Sequence, residues 1–339
     1  MDSRLLSVLR HHRACTRLAD LTGFTTLGLP VWACIRPNGK SGSSTVGKGM
    51  SNVNARLSAL FECYELTCAE RLNPEELSTT APRHMRYMFH PPYSLHTENF
   101  EVCVGRSLMN NQEVRIPFGY LSMDMTRLEQ AYLCSTIGTG AGSTAELAIR
   151  SATREFIERY SIYLSKSNRG NRRRLALERW DAGLNSDLRD LVQLCLESQC
   201  EILAQDYTQV DGWPCFAVLL VCRQTHQLMV GNGYGCDPDP AWALTQAILE
   251  AHQGLCIGVS GMRDDMFKAT YFSSRAEQCR WGMNLQVKHP VISLAELMEC
   301  RNSQILEDAE SLMNRLVLFR YPTLDPGEQH ACYKVLMPI

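Results

Sequence analysis

One short frame of residues occurs three times and constrains the fold of this chain more than any other feature. The stretch ARLSALFECYE places Ser58, Glu62 and Glu65 at spacings of four and three residues. The frame recurs in AIRSATREFIE and LTQAILEAHQG, where it consists of Ser151, Glu155, Glu158, Gln246, Glu250 and Gln253. Residues three or four apart lie on one face of a helix. The sequence therefore predicts three helices that each carry a polar stripe.

The paired glutamates of this frame predict a cation site. Their surroundings, such as LSALFECYELTC and SATREFIERYSIYL, are largely apolar, so we expect these carboxylates to be partly shielded from water. Clustered buried carboxylates need compensating cations. Carboxylate oxygens suit Mg²⁺, which keeps bound water and bridges to phosphates. A single E-x-x-E pair is more often a solvated helix face, but three copies of one frame favour a Mg²⁺-dependent phosphate site.

Strand-like segments precede each of the three helices and predict a mixed α/β chain. LPVWACI is expected to be a strand, followed by the polar loop RPNGKSGSSTVGKG. The segment AYLCSTIGTGAGS leads into the second helix. GWPCFAVLLVCR and QLMVGNGYGC are expected to pair as a hairpin before DPDP opens the third helix, from about Ala241.

Further elements complete the expected organisation. NFEVCVGRSL and EVRIPFGYLSM are predicted to be strands on either side of the turn MNNQ. A last helix is predicted across 293–316, with a strand near RLVLFRY. Because no interdomain linker is evident, we expect a single domain over residues 1–339.

Two glycine-rich segments approach nucleotide-binding motifs without matching them. GSSTVGKGM has Gly42, Gly47 and Lys48 at P-loop spacing, but Gly49 stands where a hydroxyl must ligate Mg²⁺. STIGTGAGST reads G-x-G-x-G instead of the dinucleotide pattern G-x-G-x-x-G. We interpret both as turns whose backbone N–H groups can approach a phosphate closely.

Composition excludes several classes of function. The formal net charge of −2 provides no electrostatic argument for binding nucleic acid or an anionic membrane. No apolar run approaches the roughly 20 residues that span a bilayer, and no signal peptide is evident. The 15 cysteines include no C-x-x-C pair. Several, such as Cys34 and Cys222, lie in apolar runs, so we expect buried free thiols and a reducing cytoplasm.

Three blocks of the sequence resemble the YcaO family. GKGMSNVNARLSALFECYE resembles its glycine-lysine-glycine stretch and S-x-x-x-E-x-x-E helix. STIGTGAGSTAELAIRSATREFIER resembles its segment ending in E-x-x-E-R, and GYGCDPDPAWALTQAILEAHQGLCIGVSGMRDD resembles its late helix. The resemblance extends from about residue 15 to the C-terminus. It implies a YcaO-like α/β fold in which three helices converge on a carboxylate-lined nucleotide site.

The resemblance also implies an activity. YcaO-like enzymes use ATP and Mg²⁺ to phosphorylate a peptide backbone amide on oxygen, after a nucleophile has added to its carbonyl carbon. Loss of the phosphorylated oxygen leaves an azoline, an amidine or a thioamide. The protein has to position the reactants and neutralise phosphate charge. The implied partners are a ribosomal precursor peptide and a separate leader-binding protein, either E1-like or TfuA-type.

Site residues are carried over from the family position by position. The positions that hold Mg²⁺ or the nucleotide are Glu62, Glu65, Glu155, Glu158 and Glu250. The nucleotide-contacting positions are Ser58, Lys48, Arg159, Gln246 and Gln253. The motif SGMRDD adds Arg263, Asp264 and Asp265, which are expected to cap or brace the site. No catalytic residue is assigned.

This sequence also departs from the family pattern. Gln246 stands where many members carry an arginine, Leu66 likewise replaces an arginine, and Leu147 replaces an acid. Azoline-forming members usually end in a proline-rich tail, whereas VLMPI has the single Pro338. The segment LADLTGFTTLGLPVWACIRPNGKS resembles members found with TfuA-type partners, which form thioamides.

The alternatives that remain are a non-catalytic scaffold and an ATP-dependent accessory factor for modification of a protein target. The basic stretch KSNRGNRRR is either a solvated loop or a contact for an acidic leader peptide.

Overall fold

Helices form the longest segments of the fold. The structure, a computed structural model, describes residues 2–73, 76–78, 86–89, 100–127, 134–167, 173–177, 185–222, 229–262, 291–299, 305–325, 327 and 329–339. Within these residues the helices are α1 (Asp2–His11), α2 (Asn52–Glu70), α3 (Ala145–Ser167), α4 (Ser186–Glu197), α5 (Pro240–Ser260), α6 (Leu294–Glu299) and α7 (Ala309–Met313). Short 3₁₀ turns occupy Thr22–Phe24 and Phe118–Tyr120.

The strands of the described residues form three sheets. They are β1 (Arg17–Asp20), β2 (Val31–Ile35), β3 (Ser44–Lys48), β4 (Glu76–Ser78), β5 (Phe100–Ser107), β6 (Glu113–Pro117), β7 (Thr139–Gly142), β8 (Arg174–Leu175), β9 (Cys200–Asp206), β10 (Cys215–Cys222), β11 (Met229–Cys236), β12 (Val291–Ile292), β13 (Val317–Arg320) and β14 (Ala331–Leu336). The sheet orders are β1–β2–β3, β11–β10–β9–β8–β12 and β4–β5–β13–β14–β7, with β6 on β5. Pairing is antiparallel except between β8 and β12. The strands β3, β7 and β11 thus each end one sheet.

Each of the helices α2, α3 and α5 starts at a side chain that caps it. Ser51 accepts a hydrogen bond from the N–H of Asn54, and Thr144 accepts one from the N–H of Leu147. Asp239 accepts the first N–H groups of α5, and Pro240 occupies the first helical position. These caps satisfy backbone donors that the helix leaves unpaired. Each cap follows two or three residues after its edge strand, so strand and helix form one compact unit.

Glycines allow these three helices to lie directly on their edge strands. A Cβ atom on Gly47 would lie 2.0 Å from the backbone of α2, and one on Gly140 would lie 2.3 Å from that of α3. On Gly235 it would lie 2.0 Å from the backbone of α5. No side chain larger than hydrogen fits at such distances. Gly47 and Gly140, from the two motifs that approach nucleotide-binding loops, therefore serve the packing of helix on strand.

The three units contact one another in a cycle. Helix α2 contacts β7 in addition to β3, α3 contacts β11 in addition to β7, and α5 contacts β3 in addition to β11. Since every helix touches the edge strand of the next unit, one face of each helix is directed towards the junction of all three units. The apolar faces belong to separate clusters of buried residues: Tyr64 of α2 clusters with Phe319, and Leu244 of α5 with Phe216. No helix of the described residues is both long and apolar enough to cross a bilayer.

Several predicted elements are confirmed. β5 and β6 pair on either side of the MNNQ turn, and β10 and β11 pair along their whole length. The third helix begins at Pro240, one residue from the expected start. The strand near RLVLFRY is β13.

Three predicted elements are wrong. The glycine-rich motif STIGTGAGST was expected to be a turn, but Thr139–Gly142 form β7 and pair with β14. The polar loop before the first helix contains β3, because small residues in STVGK pair with β2 and fit beneath α2. The single helix expected across 293–316 is replaced by α6 and α7. Between them Glu307 bridges to Val210, and Asp308 caps the new helix by accepting the N–H of Ser311.

The expectation of free thiols is only partly correct. Eleven of the described cysteines are free, and all of these are buried except the half-buried Cys134. Cys222, however, lies opposite Cys200 on the adjacent strand and forms a disulfide with it. The prediction for Cys222 is therefore wrong, because strand register and not sequence spacing brings the two residues together.

Candidate nucleotide and metal site

The repeated frame has the same relation to its strand in all three units. Counting from the alanine that packs on the edge strand, the frame occupies the third, seventh and tenth following positions. The reference alanines are Ala55, Ala148 and Ala243. The middle position of the frame lies seven residues, or about two turns, beyond the alanine on the same helix face, so one face first packs on its strand and then presents an acid to the junction. The carboxylate site is defined here as Glu62, Glu65, Glu155, Glu158 and Glu250.

Backbone N–H groups of the edge strands hold the two acids of α2. The N–H of Val46, in β3, donates to Glu62 Oε2 at 3.2 Å. The N–H of Ala141, in β7, donates to Glu65 Oε1 at 2.7 Å. Glu65 is half-buried, whereas Glu62 is exposed. The expectation that all of these acids are partly shielded from water is therefore wrong for Glu62. The glycine-rich strands therefore present backbone N–H groups to the site as expected. In this structure those N–H groups donate to carboxylates and not to a phosphate.

The two acids of α3 lie deeper. Glu158 is buried and Glu155 is half-buried. Arg159 Nη2 lies 3.4 Å from Glu158 Oε1 and 4.0 Å from Glu250 Oε1. The same guanidinium lies over the ring of Tyr234, 5.9 Å from its centroid. Arg159 therefore joins α3 to α5 and is not merely an ion-pair partner within its own helix.

The acid of α5 pairs with a lysine from the first unit. Lys48 Nζ donates to Glu250 Oε2 at 2.7 Å, and the lysine side chain is only 17% exposed. The Gln253 amide donates to the carbonyl oxygen of Val46. Lys48 is thus the last residue of β3 and an ion-pair partner in the site, which excludes the alternative of a solvated loop lysine.

The acids raise one another's proton affinity. Burial, with repulsion from Glu155 and Glu62, raises the pKa of Glu65 well above its usual range. Burial, together with the charges of Glu158 and Glu250, raises the pKa of Glu155 to about 8. Burial and repulsion from Glu250 raise the pKa of Glu158 to about 7. Charges on one helix thus act on acids of another, so the three helices do meet at one negatively charged site.

Glu250 behaves differently from the other acids. Burial by itself raises its pKa, but attraction to Lys48 and to Arg159 outweighs burial and lowers it. A hydrogen bond from the N–H of Tyr234 acts in the same direction. The acids whose pKa values stay raised therefore lie on the α2 and α3 side of the site, where a cation is most needed.

The donor set fits Mg²⁺. Carboxylate oxygens with raised pKa values become fully ionised when a divalent cation neutralises them. Among the residues that the structure describes, no three acidic, histidine or cysteine side chains converge closely enough to hold a metal ion by themselves. Mg²⁺ commonly takes one or two carboxylates and completes its shell with water and phosphate oxygens. An open set of carboxylates therefore suits this ion better than a closed cage would.

The remaining expected site residues fall into two groups. Ser58 and Gln246 are half-buried and occupy the first position of the frame on α2 and α5. Leu147 is exposed in the first turn of α3. Arg263, Asp264 and Asp265 lie outside the described residues, as does the middle of KSNRGNRRR.

Sequence reasoning missed several charged residues close to the carboxylates. Lys334 of β14 is fully buried, donates to the Ser135 carbonyl oxygen and lowers the proton affinity of Glu155. A lysine inside the apolar run ACYKVL was the available signal. Arg154, next to Glu155 in sequence, counteracts the raised pKa values of Glu65 and Glu158. The sequence position of Arg154 did not indicate this role, because the role depends on how α3 packs against β11.

The fold thus consists of three helix–strand units around one cluster of carboxylates. Residues 46–317 match the family described as YcaO cyclodehydratase, ATP- and Mg²⁺-binding. The chain therefore belongs to the YcaO family, as its motifs indicated, and ATP and Mg²⁺ are the cofactors of that family.

Solved structures share the mixed α/β fold. The YcaO protein from Methanopyrus kandleri bound with AMPPCP and Mg²⁺ has a TM-score of 0.72 at 18% identity, covering 99% of this chain and 90% of that one. A heterocyclase in complex with substrate and cofactor has a TM-score of 0.68 at 15% identity, over 98% and 51% of the two chains. The E. coli microcin synthetase McbBCD complex contains a chain with a TM-score of 0.60 at 14% identity, over 95% and 86%.

Curated relatives are more similar in sequence. An uncharacterized protein of Methanothermobacter thermautotrophicus is 25% identical over 76% of this chain and 69% of its own length. An uncharacterized protein in the tfuA 3′ region of Rhizobium leguminosarum bv. trifolii is 26% identical over 76% of this chain. The match spans 65% of that relative's length.

Proposed function

We propose that this chain is an ATP- and Mg²⁺-dependent enzyme that activates backbone amides of a ribosomally made peptide by O-phosphorylation. The products are azoline heterocycles or thioamides. The carboxylate site supports this proposal, since five acids from three helices lie together with the cations Lys48 and Arg159, and the raised pKa values of Glu65 and Glu155 indicate that the cations around them compensate their charge only in part. Such a site suits Mg²⁺ carrying a polyphosphate better than it suits an uncharged ligand.

The acids and the cations of the site have different proposed roles. ATP supplies the phosphoryl group that makes the amide oxygen a good leaving group. Glu65, Glu155 and Glu158 would hold Mg²⁺, because burial leaves their charges least compensated. Arg159 and Lys48 would neutralise phosphate oxygens, since both cations already lie at the carboxylate site and contact Glu250. Their positions are fixed by the three strands beneath, so catalysis would rest on orientation and electrostatic preorganisation.

The proposed substrate is presented by a second protein. The heterocyclase structure contains a substrate, and the microcin synthetase is a complex of several chains. A relative encoded in a tfuA 3′ region supports a TfuA-type partner, and an E1-like leader-binding protein is the alternative. We place the reaction in a reducing cytoplasm on the basis of the buried free cysteines, although the Cys200–Cys222 disulfide argues the other way. The single domain over 1–339 remains a prediction.

A non-catalytic scaffold or accessory factor is the second candidate. Leu147 is exposed at the start of α3, where an acid is common in the family, and Gln246 provides no positive charge on α5. A scaffold would not need acids with raised pKa values, because leaving such groups uncompensated destabilises the fold. The acids therefore favour the enzyme.

Peptide masses in the host test the proposal. Cells producing the wild-type chain are compared with cells producing Glu158→Gln, and with cells producing Glu310→Gln as a control at an exposed acid of α7. We expect the wild type and the control to yield peptides that have lost water or exchanged oxygen for sulfur, and Glu158→Gln to yield none. Equal masses in all three, with Mg²⁺·ATP binding intact in the wild type, would contradict peptide modification.

A further inference from the structure

A pair of arginines beside the carboxylate site shares one buried acid. Arg150 Nη2 lies 3.5 Å from Asp237 Oδ1, and Arg154 Nη1 lies 3.6 Å from Asp237 Oδ2. The arginines are four residues apart on α3 and therefore neighbours on one face. One carboxylate cannot by itself neutralise two guanidinium groups.

Asp237 is placed specifically to support this pair. It lies two residues before the cap of α5, where the other two units carry Gly49 and Gly142. Its side chain is 1% exposed. Its Oδ1 atom accepts the N–H of Asp239 at 3.1 Å, and its Oδ2 atom has no hydrogen bond. A buried acid with an unfilled acceptor gains most of its compensation from the two arginines.

The arginines keep donors available. Charge-assisted hydrogen bonds between guanidinium and carboxylate are typically about 2.7–2.9 Å long, so contacts of 3.5 and 3.6 Å are loose. Each guanidinium has five N–H donors, of which Asp237 takes few. The side chains are 61% exposed for Arg150 and 31% exposed for Arg154. Two planar cations with free donors suit a tetrahedral oxyanion.

Their location connects them to the nucleotide site. Arg154 lies four residues before Glu158 on α3, which places both on one helix face, and its charge also acts on Glu65 and Glu158, so this guanidinium lies beside the carboxylate site. Arg150 lies one turn further towards solvent, on the side that a macromolecular substrate can reach. The phosphoryl group that is transferred has to meet the substrate on such a side.

We propose that Arg150 and Arg154, supported by Asp237, form a fork that binds the terminal phosphoryl group of the nucleotide. This inference rests on the proposed function, because it concerns the same nucleotide. It assigns Arg154 the inner contact and Arg150 the outer one. The alternative is that the two arginines bind an acidic side chain of the peptide substrate.

Nucleotides of different phosphate number distinguish the possibilities. Equilibrium binding of Mg²⁺ with AMPPCP, ADP and AMP is measured for the wild type, Arg150→Gln and Arg154→Gln. Lys166→Gln, at an exposed position near the other end of α3, is the matched control. We expect Arg154→Gln to weaken AMPPCP binding about tenfold or more, and Arg150→Gln to weaken it less because that side chain is more exposed. Binding of ADP and AMP should change by less than about twofold.

Results other than the expected selective loss of AMPPCP binding would contradict the inference. Equal losses for all three nucleotides would show that the arginines only brace α3 against β11, and unchanged AMPPCP binding would show that the fork serves another anion. Either result overturns the inference but leaves the proposed function standing, whereas a wild type that binds no nucleotide overturns the proposed function. If Arg154→Gln does not fold, Arg154→Lys retains the ion contact but not the planar fork, and is expected to show the same selective loss for AMPPCP.

Discussion

Replacing Glu155 with glutamine is expected to stabilise the fold while removing Mg²⁺-dependent nucleotide binding. Burial raises the pKa of Glu155 from 4.5 to about 8, so the folded chain keeps a proton that the unfolded chain loses. The free energy of unfolding of the wild type therefore falls as the pH rises from about 4.5 to about 8. Glutamine keeps the shape and never ionises, so this loss disappears in the variant.

The magnitude follows from the same pKa. A tenfold change in proton affinity is worth about 1.4 kcal/mol, so the full change corresponds to about 5 kcal/mol. Glu155 is only half-buried, and water screens part of the effect. We therefore expect Glu155→Gln to be more stable than the wild type by about 2–3 kcal/mol near pH 8.5, with the difference vanishing near pH 5.

Urea unfolding followed by circular dichroism at a series of pH values measures this difference. Glu310→Gln, at an exposed position, controls for the loss of any acid and should show no such pH dependence. The same samples are tested for binding of Mg²⁺·ATP, which Glu155→Gln should lose. A variant that is less stable than the wild type near pH 8.5, or a stability difference that does not depend on pH, would refute the reasoning.

Two further predictions concern the packing around the site. Gly140→Ala should destabilise the fold by about 2–3 kcal/mol in urea unfolding, because its Cβ would lie 2.3 Å from the backbone of α3. Gly258→Ala, with no atom within 4 Å, should be neutral or stabilising, and equal effects would contradict the close packing. Arg36→Met should lower the melting temperature strongly, since it removes the guanidinium at 2.7 Å from buried Glu70 and leaves that acid only its hydrogen bonds from Ser41, a loss of about 3–5 kcal/mol. Arg106→Met, at an exposed pair, should cost less than about 1 kcal/mol, and a similar loss at both sites would contradict the role of burial.

The sequence was informative where a local pattern and its chemistry coincide. The frame with Glu62 and Glu65 predicted both the helix and its acidic face, because helical periodicity alone places these residues together. Apolar runs bounded by turns predicted β5, β6, β10 and β11. DPDP predicted the start of α5 in the same local way.

Features that depend on tertiary contact were not predictable. β3 is polar and glycine-rich, and becomes a strand because α2 covers it and β2 pairs with it. Cys222 meets Cys200 through the register of β9 and β10. In the sequence, Asp237 is predicted only to be part of the turn DPDP. Its contact with Arg154 depends on the cyclic arrangement of the three helix–strand units. The ion pair of Lys48 with an acid about 200 residues away arises in the same way.

Titration calorimetry of ATP into the purified chain, with and without Mg²⁺, tests most directly that three helices form one metal-dependent nucleotide site. The wild type and Lys166→Gln should bind ATP only when Mg²⁺ is present, and Glu158→Gln should not bind it. Binding without Mg²⁺, or binding that Glu158→Gln retains, would contradict the assignment of the carboxylate site.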